Sequence, residues 1–463
     1  MSNEQRADPA PGGPSTGSGR SFVLNVNLVF LSTVASSAVL FVTAVLLARA
    51  LGPEGRGVTV LYQSAIALAF AFASFGIAAA VVYFVARRDV TPRQALEGGL
   101  SVTFAAALLA ALGVLLAALV ADDRLDAEGL PYWLGLVALP AVLQHRLVEA
   151  VLRARGRFVA SSALDLLQPI VALIAFAAIE ATAGLTIGRA VAVWSFSFLP
   201  AVVLGYALLG PQAWPRRLAA PAALVSTVRF GVQAQSANLV QQLNYRADSY
   251  LVLIFVNAAG VGLYSIGVSL SEGMWLVANA VAIVLQTNLT AGDAAYAART
   301  TPLVCRNALL LTGAGALAAA AVAPFVVPLV FGDAFEDAVL PFVLLLPGTV
   351  AMAGGKILAA YVFSRGRPLL NAAIALAALL VTLGADLVLI PLLEVKGAAI
   401  GASIGYGVSF VLTALVYRAL SGGSLRDALL PRLADAALYV EAARSLAERL
   451  PLARRFAGGG VRT

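Results

Sequence analysis

Polar and charged side chains cluster on one side of the seventh apolar stretch of the sequence. They are Gln235, Asn238, Gln241, Gln242, Tyr245, Arg246 and Asp248. At the α-helical period of about 100° per residue, these side chains lie within an arc of about 160°. Leu239, Val240, Leu243 and Ala247 occupy the opposite side. In a membrane-spanning helix such a polar stripe predicts a hydrated cavity, because charged groups that face lipid are costly.

Two kinds of chemistry are expected from this stripe. Arg246 lies roughly 15 Å from the outer end of its helix, too deep for its side chain to reach water easily, and it is a candidate for binding an anion. Asp248 and the similarly deep Glu272 of the eighth stretch are candidates for ion coupling. Glu272 is equally explained as a partner for Arg246. A polar network that only holds the helices together remains the alternative for Arg246 and Asp248.

Further in-span charges lie closer to the ends of their helices. Arg146 and His145 are three and four residues from Glu149, so each can share a helix face with it. Their position near the cytoplasmic end favours structural pairing, and Glu149 is kept as an ion-coupling candidate. Lys356 is a candidate for the ligand site, and Asp386 also lies near the end of its span.

The residue inventory excludes several classes of function. One cysteine and one histidine rule out disulfide scaffolds, cysteine-rich zinc sites and Cys–His nucleophile pairs. No P-loop, HExxH motif or nucleophile elbow occurs. The basic residues separate apolar runs and form no nucleic-acid-binding patch. We therefore expect no enzyme, no metal, no cofactor and no nucleic-acid partner.

The amino-acid composition indicates that this chain is embedded in a lipid bilayer. Of 463 residues, 60% are apolar and 12% are charged, against about 25% charged in ordinary soluble domains. A span needs roughly 20 apolar residues, which predicts an all-α integral membrane protein with about twelve transmembrane helices. They are placed near 22–48, 57–86, 96–120, 131–153, 159–181, 187–209, 227–256, 260–288, 303–330, 338–362, 369–393 and 398–420.

The distribution of basic residues predicts the orientation. The odd-numbered connectors contain five, namely Arg49, Arg56, Arg124, Arg189 and Lys396. The first tail and the even-numbered connectors contain fifteen, and by the positive-inside rule both termini are cytoplasmic. These are Arg6, Arg20, Arg87, Arg88, Arg93, Arg153, Arg155, Arg157, Arg216, Arg217, Arg229, Arg299, Arg306, Arg365 and Arg367.

Three sequence matches indicate an internal repeat of six spans. Arg155-Gly156-Arg157 returns as Arg365-Gly366-Arg367, Gly184-x-x-Ile187-Gly188 returns as Gly397-x-x-Ile400-Gly401, and Gly57 matches Gly262. Two halves with even numbers of spans are parallel, so a pseudo-twofold axis along the membrane normal is expected, with a substrate site between the lobes. The predicted domains are a disordered cytoplasmic tail (1–21), an N-lobe (22–209), a cytoplasmic linker (210–226), a C-lobe (227–420) and a basic cytoplasmic tail (421–463). Leu425, Leu429, Leu433, Ala437 and Val440 favour an amphipathic helix in that last tail.

Several motifs resemble one family of membrane proteins. The segment from Leu46 to Gly57 contains Leu-Gly-Pro-Glu-Gly, and Phe230-Gly231 is followed by Asn244-Tyr245-Arg246-Ala247-Asp248. Gly260-Val261-Gly262-Leu263-Tyr264-Ser265, Val330-Phe331-Gly332 and Arg365-Gly366-Arg367 complete the set. Together they resemble the Wzx-type polysaccharide transporters of the MOP superfamily, which also contains MATE exporters and lipid II flippases.

This resemblance implies two six-helix lobes and an undecaprenyl-diphosphate-linked oligosaccharide as cargo, flipped across a bacterial cytoplasmic membrane by alternating access. Membrane lipids and a glycan polymerase or export machinery are the further partners implied. Arg246 is the first candidate for the diphosphate because arginine donates in bidentate fashion. Arg49 and Arg56 also lie in matching sequence, at the outer mouth. Arg49 is a candidate ligand or an anchor for the helix end. A MATE-like cation or drug exporter and a lipid II flippase are the alternatives.

Overall fold

The computed structural model describes residues 17–120, 134–219, 221–291 and 294–430, together with Arg432 and Asp435. Within these residues the chain is helical and forms no β-strand. The helices are α1 (Gly17–Ala73), α2 (Ile77–Ala86), α3 (Pro92–Val120), α4 (Gly135–Ala154), α5 (Phe158–Ala183), α6 (Ile187–Phe196), α7 (Phe198–Leu209), α8 (Pro221–Phe255), α9 (Ala258–Ala291), α10 (Ala294–Phe331), a 3-10 turn (Asp333–Ala338), α11 (Val339–Ser364), α12 (Pro368–Leu393), α13 (Val395–Ser421) and α14 (Leu425–Leu429).

The first helix contains a break at Gly52. This glycine has φ 67° and ψ −176°, a conformation that a side chain would strain and that glycine adopts freely. Pro53 follows and starts a new helical segment, as proline often does at a first helical position. We call the two segments α1a (residues 17–51) and α1b (residues 53–73). The predicted connector at Gly52-Pro53-Glu54-Gly55 is thus reduced to a kink.

Two predicted spans are interrupted. The second span, expected to be continuous over 57–86, is broken between α1b and α2, where Phe75 and Gly76 have φ values of 44° and 65°. The sixth span, expected over 187–209, is divided at Ser197 into α6 and α7. Hydropathy averages over such breaks, so the sequence pattern did not reveal them.

Seven described helical segments are long and apolar enough to cross a membrane. The prediction of an all-α membrane protein is therefore confirmed. The segments are Leu31–Ala73, Phe158–Ala183, Ile187–Leu209, Ala295–Phe331, Asp333–Ser364, Pro368–Leu393 and Val395–Ser421.

The chain divides into two compact units. The first comprises the chain up to Leu46 and Ala69–Gln235, and the second comprises Leu47–Leu68 and the chain from Ser236 onward. In the first unit α4 packs against α2, α3, α5 and α7, and Leu147, Val148 and Val151 lie in its core. In the second unit α11 packs against α9, α10 and α13.

Residues 47–68 belong to the second unit because α1b crosses α9 at close range. A Cβ atom added to Gly57 would lie 1.8 Å from the Ala258 carbonyl oxygen, and one added to Gly262 would lie 1.9 Å from the Pro53 carbonyl oxygen. Only glycine at both positions allows this approach of the two backbones. The sequence expectation had placed this segment with the N-lobe, whose predicted range was 22–209.

The repeated Arg-Gly-Arg motif forms the same turn in each half of the sequence. Gly156 and Gly366 both have φ 71°. The Arg157 amide donates to the Leu152 carbonyl at 2.9 Å, and the Arg367 amide donates to the Val362 carbonyl at 3.4 Å. These equivalent positions are all 210 residues apart, as expected for a structural repeat.

The glycine match at Gly184 and Gly397 needs correction. Gly184 ends α5 with φ 70°, and the corresponding end of α12 is Glu394 with φ 53°. Gly184 and Glu394 are therefore the equivalent positions, with the same 210-residue spacing as the Arg-Gly-Arg turns. Gly184 and Gly397, which are 213 residues apart, occupy different backbone positions. Glu394 adopts a positive φ that glycine adopts in the first half.

The beginning of the C-terminal tail is anchored to the second unit. Leu425 and Leu429 of α14 pack against the cluster that contains Tyr361 and Tyr417. Arg306 donates two hydrogen bonds of 2.5 Å to the Asp435 carboxylate, which hold the pKa of that carboxyl below its ordinary 3.8. Of the predicted amphipathic positions, Leu433, Ala437 and Val440 lie outside the described residues, as do residues 1–16.

Candidate functional site

Two buried carboxylates and a tyrosine form a cluster in the second unit. Asp248 on α8, Tyr264 on α9 and Asp386 on α12 are 3%, 1% and 0% exposed. The Tyr264 hydroxyl donates to Asp248 Oδ2 at 2.6 Å, and the Asp248 and Asp386 carboxylates interact electrostatically. Asp248 Oδ1 and both Asp386 oxygens are enclosed without a hydrogen-bond donor among the described residues. Three free acceptor oxygens in an apolar surrounding are suited to a proton or a small cation.

Small residues on α13 make room for the Asp386 side chain. A Cβ atom added to Gly401 would lie 2.0 Å from Asp386 Oδ1, and one added to Gly405 would lie 1.8 Å from Thr382 Oγ1. Gly397 makes a similar approach to the α12 backbone, 2.2 Å from the Leu389 carbonyl oxygen. The four-residue spacing of Gly397, Gly401 and Gly405 thus allows α13 to pack closely against α12.

A second cluster in the same unit is mainly cationic. Lys356 Nζ on α11 lies 5.1 Å from the centre of the Trp275 ring, a favourable cation–π distance. Glu272, one turn before Trp275 on α9, interacts electrostatically with both Lys356 and Arg246. Arg246 Nε is enclosed and has no acceptor among the described residues. Within this cluster two cations thus share the Glu272 carboxylate.

Arg246 connects the two clusters. It interacts electrostatically with Asp248 as well as with Glu272. The cationic cluster (Arg246, Glu272, Trp275, Lys356) and the acid pair (Asp248, Asp386) are therefore parts of one charged region inside the second unit. An ion that changed the charge of the acid pair would alter the field at Arg246.

The remaining predicted residues of the polar stripe are described only in part. Gln242 is partly buried. The side chains of Asn238, Gln241 and Tyr245 lie outside the described residues, although their backbone is helical. Their role in a ligand site stays a prediction.

Arg49 binds a helix end. Its Nε atom donates to the Val330 carbonyl at 2.8 Å, and a second nitrogen donates to the Leu329 carbonyl. These carbonyls belong to the last turn of α10, where helical partners are missing and a cation is favoured by the helix dipole. The geometry agrees with the anchoring alternative for Arg49.

Glu149 belongs to a paired network in the first unit. Arg146 contacts Glu149 at 3.0 Å and Asp165 at 2.9 Å, and Arg153 contacts both carboxylates as well. Oxygen and nitrogen atoms of His145, Glu149 and Asp165 lie within 4.8 Å of one another, close enough to surround a metal ion. The two arginines already bind these carboxylates and would repel a metal cation, so the arrangement favours a structural role.

Asp386 and Tyr264 are the residues that sequence analysis undervalued. Asp386 was noted as an in-span charge, but its position near a span end gave no reason to place it beside Asp248. Tyr264 lay inside a motif and was not considered as a hydrogen-bond donor. The signals available were the in-span charge at Asp386 and the glycine at Gly401 that packs against it.

The chain matches the profile of one protein family. The family profile described as "Polysaccharide biosynthesis protein" matches residues 46–340, which is more than half of the sequence. The chain therefore belongs to the polysaccharide biosynthesis protein family. A search of curated protein sequences finds no match.

Solved structures with the same fold are membrane transporters. The lipid II flippase MurJ in an inward closed conformation superposes with a TM-score of 0.70 at 11% identity, covering 86% of this chain and 88% of that one. An inward-facing multidrug resistance MATE transporter of the MOP superfamily gives 0.66 at 14% identity, with 84% and 94% covered. A MOP superfamily transporter from Pyrococcus furiosus, reported to have a binding pocket of reversed polarity, gives 0.58 at 14% identity, with 87% and 96% covered.

Family and fold agree with the class indicated by the sequence motifs. The protein is a multi-pass membrane protein of the polysaccharide biosynthesis protein family, with the fold of MOP superfamily transporters. At these sequence identities the structural similarity establishes the fold, and the cargo has to be argued from the charged region itself.

Proposed function

We propose that this protein flips a polyprenyl-diphosphate-linked oligosaccharide across a bacterial cytoplasmic membrane by alternating access, with both termini in the cytoplasm. The observation that carries the proposal is the cationic cluster in the second unit. Arg246 and Lys356 share the Glu272 carboxylate, and the other acidic partner of Arg246 is Asp248 of the acid pair. When the acid pair takes up an ion, the cationic cluster is left with an excess of positive charge, which is costly unless an anion neutralises it.

A diphosphate fits this requirement better than a cation does. Arg246 offers a planar set of donors that pairs with phosphate oxygens in bidentate fashion, and Lys356 supplies a point charge. The Trp275 ring holds Lys356 at 5.1 Å without removing its charge. Family membership agrees with a glycan cargo.

The acid pair supplies a means of coupling. Asp248 and Asp386 are both buried, interact electrostatically and have three oxygens without a donor among the described residues, so uptake of a proton or a sodium ion would remove their mutual repulsion. Because Arg246 interacts with Asp248, ion uptake would free more of the positive field of Arg246 for the diphosphate. Binding of the ion and of the cargo would therefore be linked.

The acid pair also favours a second candidate, a MATE-like exporter of organic cations. In that case Asp248 and Asp386 would bind the cargo itself, and Arg246 would repel it. The two functions make opposite predictions for removal of Arg246: glycan export fails in the first, and cation export persists or improves in the second.

The test is export of the cell's surface glycan by the Arg246→Ala protein. We expect export to be abolished while the protein stays in the membrane at its normal amount. Arg367→Ala is the matched control, because Arg367 is an exposed arginine at a helix boundary and should leave export unchanged. Normal surface glycan in the Arg246→Ala strain would exclude the cationic cluster as the diphosphate site.

A further inference from the structure

Arg56 is a buried cation without a counter-ion in the described part of the protein. Its side chain is 7% exposed, and its Nε atom is enclosed with no hydrogen-bond acceptor. Burial dominates its electrostatic environment, with no contribution from a neighbouring charge. Arginine is rarely buried unless it is paired, so this position calls for an external anion.

The local backbone increases the positive potential around Arg56. Arg56 is the fourth residue of α1b. Because side chains on a helix tilt toward its amino terminus, the Arg56 side chain is directed toward the first turn of α1b. The amides of Glu54 and Gly55 lie in that turn, where no helical acceptor exists for them. A helix amino terminus carries a partial positive charge.

A second helix amino terminus lies beside the first. Gly57, next to Arg56, approaches the Ala258 backbone so closely that a Cβ atom would lie 1.8 Å from its oxygen, and Ala258 is the first residue of α9. The amino-terminal ends of α1b and α9 therefore lie beside each other, and in α9 the Gly260 amide already donates to Asn257 Oδ1 at 2.8 Å. Glu54, in the first turn of α1b, has an exposed side chain.

We propose that Arg56, together with the first turn of α1b, binds the phosphate group of a lipid. Amide groups at helix amino termini and a guanidinium are donors well suited to phosphate oxygens. Arg56 lies about 6 Å along the helix from the break between the first two spans, at the depth of lipid headgroups. The phosphate could come from a membrane phospholipid or from an isoprenoid diphosphate.

This site is separate from the cationic cluster. No electrostatic interaction joins Arg56 to Arg246, Glu272 or Lys356. A variant at Arg246 should therefore leave phospholipid binding at Arg56 intact, and the two proposals can fail independently.

The experiment measures lipid-induced thermal stabilisation of the purified full-length protein in detergent. The phosphate-bearing probes are dioleoyl phosphatidylglycerol and farnesyl diphosphate, and their phosphate-free controls are dioleoylglycerol and farnesol. We expect only the phosphate-bearing lipids to raise the Tm. The probe with the larger effect in an Arg246→Ala background identifies the source of the phosphate.

Two variants separate ligand binding from a structural role. Arg56→Gln should lose the lipid-induced shift, while its lipid-free Tm equals or exceeds that of the wild type because an unpaired buried charge has been removed. Arg56→Lys keeps the positive charge but loses the planar set of guanidinium donors, so at least half of the lipid-induced Tm shift should disappear. Arg367→Gln, at an exposed arginine, should respond like the wild type.

Three results would overturn the proposal. They are a full lipid response in Arg56→Gln, an equal response to the phosphate-free lipids, and a marked fall in the lipid-free Tm or in the yield of folded Arg56→Gln protein. The last result would show that Arg56 stabilises the fold through contacts of its own.

Discussion

Replacing Gly401 with alanine tests whether the acid pair is assembled by the packing of α12 against α13. The added methyl carbon would lie 2.0 Å from Asp386 Oδ1 and 3.1 Å from its Cγ. A Cβ atom essentially never lies within 3.0 Å of another heavy atom. The Asp386 carboxylate therefore has to move away by about 1 Å. Asp386 is 0% exposed and has little room to do so. Overpacking of this kind costs about 1–3 kcal/mol.

Gly407 provides a control on the same helix. No atom lies within 4 Å of a Cβ placed there, so Gly407→Ala should gain only the helix propensity of alanine, roughly 1 kcal/mol. Both substitutions gain this propensity, and the difference between them isolates the clash. We expect the free energy of unfolding of Gly401→Ala to be about 1–3 kcal/mol below that of Gly407→Ala.

The assay is equilibrium unfolding of the purified protein in detergent micelles, combined with a double-mutant cycle. Asp386→Ala removes the atoms that clash, so Gly401→Ala should cost much less in that background. Ion-dependent transport should be lost in Gly401→Ala and retained in Gly407→Ala. Equal stability of the two alanine variants would refute the packing of Asp386 against Gly401, and with it the proposed assembly of the acid pair.

Two further predictions concern the ends of helices. Glu394→Gly should stabilise the protein by roughly 0.5–1 kcal/mol, because relief of the strained backbone exceeds the entropy cost of glycine; a lower Tm would contradict the assigned strain. Asp435 has a lowered pKa through Arg306, so its pair stabilises the fold above pH 3.8 and this contribution is lost as the pH falls through the lowered value. The Tm difference between wild-type and Asp435→Asn protein should therefore be present at pH 7 and shrink below pH 3.8; a difference independent of pH would exclude the ion pair as its cause.

Local features of the fold were predictable from the sequence. Apolar length and the distribution of arginines define the helices, and the Leu-Gly-Pro-Glu-Gly segment marks the break that the structure places at Gly52. The Arg-Gly-Arg repeats predicted two equivalent turns, and Gly156 and Gly366 share φ 71°. These features depend on residues close together in the chain, where backbone preferences decide the outcome.

Long-range pairings were not predictable. Asp386 interacts electrostatically with Asp248 because α12 and α8 belong to one unit, and nothing in either segment specifies the other. Arg49 binds carbonyls 280 and 281 positions away, which a hydropathy pattern does not encode. The positive φ of Glu394 could be recognised only after the backbone showed that it corresponds to Gly184.

The most direct test of the central claim is a flipping assay in proteoliposomes. The cargo is a fluorescent undecaprenyl-diphosphate-linked oligosaccharide, and an organic cation dye is the competing substrate. We expect the wild-type protein to flip the diphosphate lipid, Arg246→Ala to abolish that activity, and Arg367→Ala to preserve it. Transport of the cation dye by wild-type and Arg246→Ala protein, without movement of the diphosphate lipid, would contradict the account.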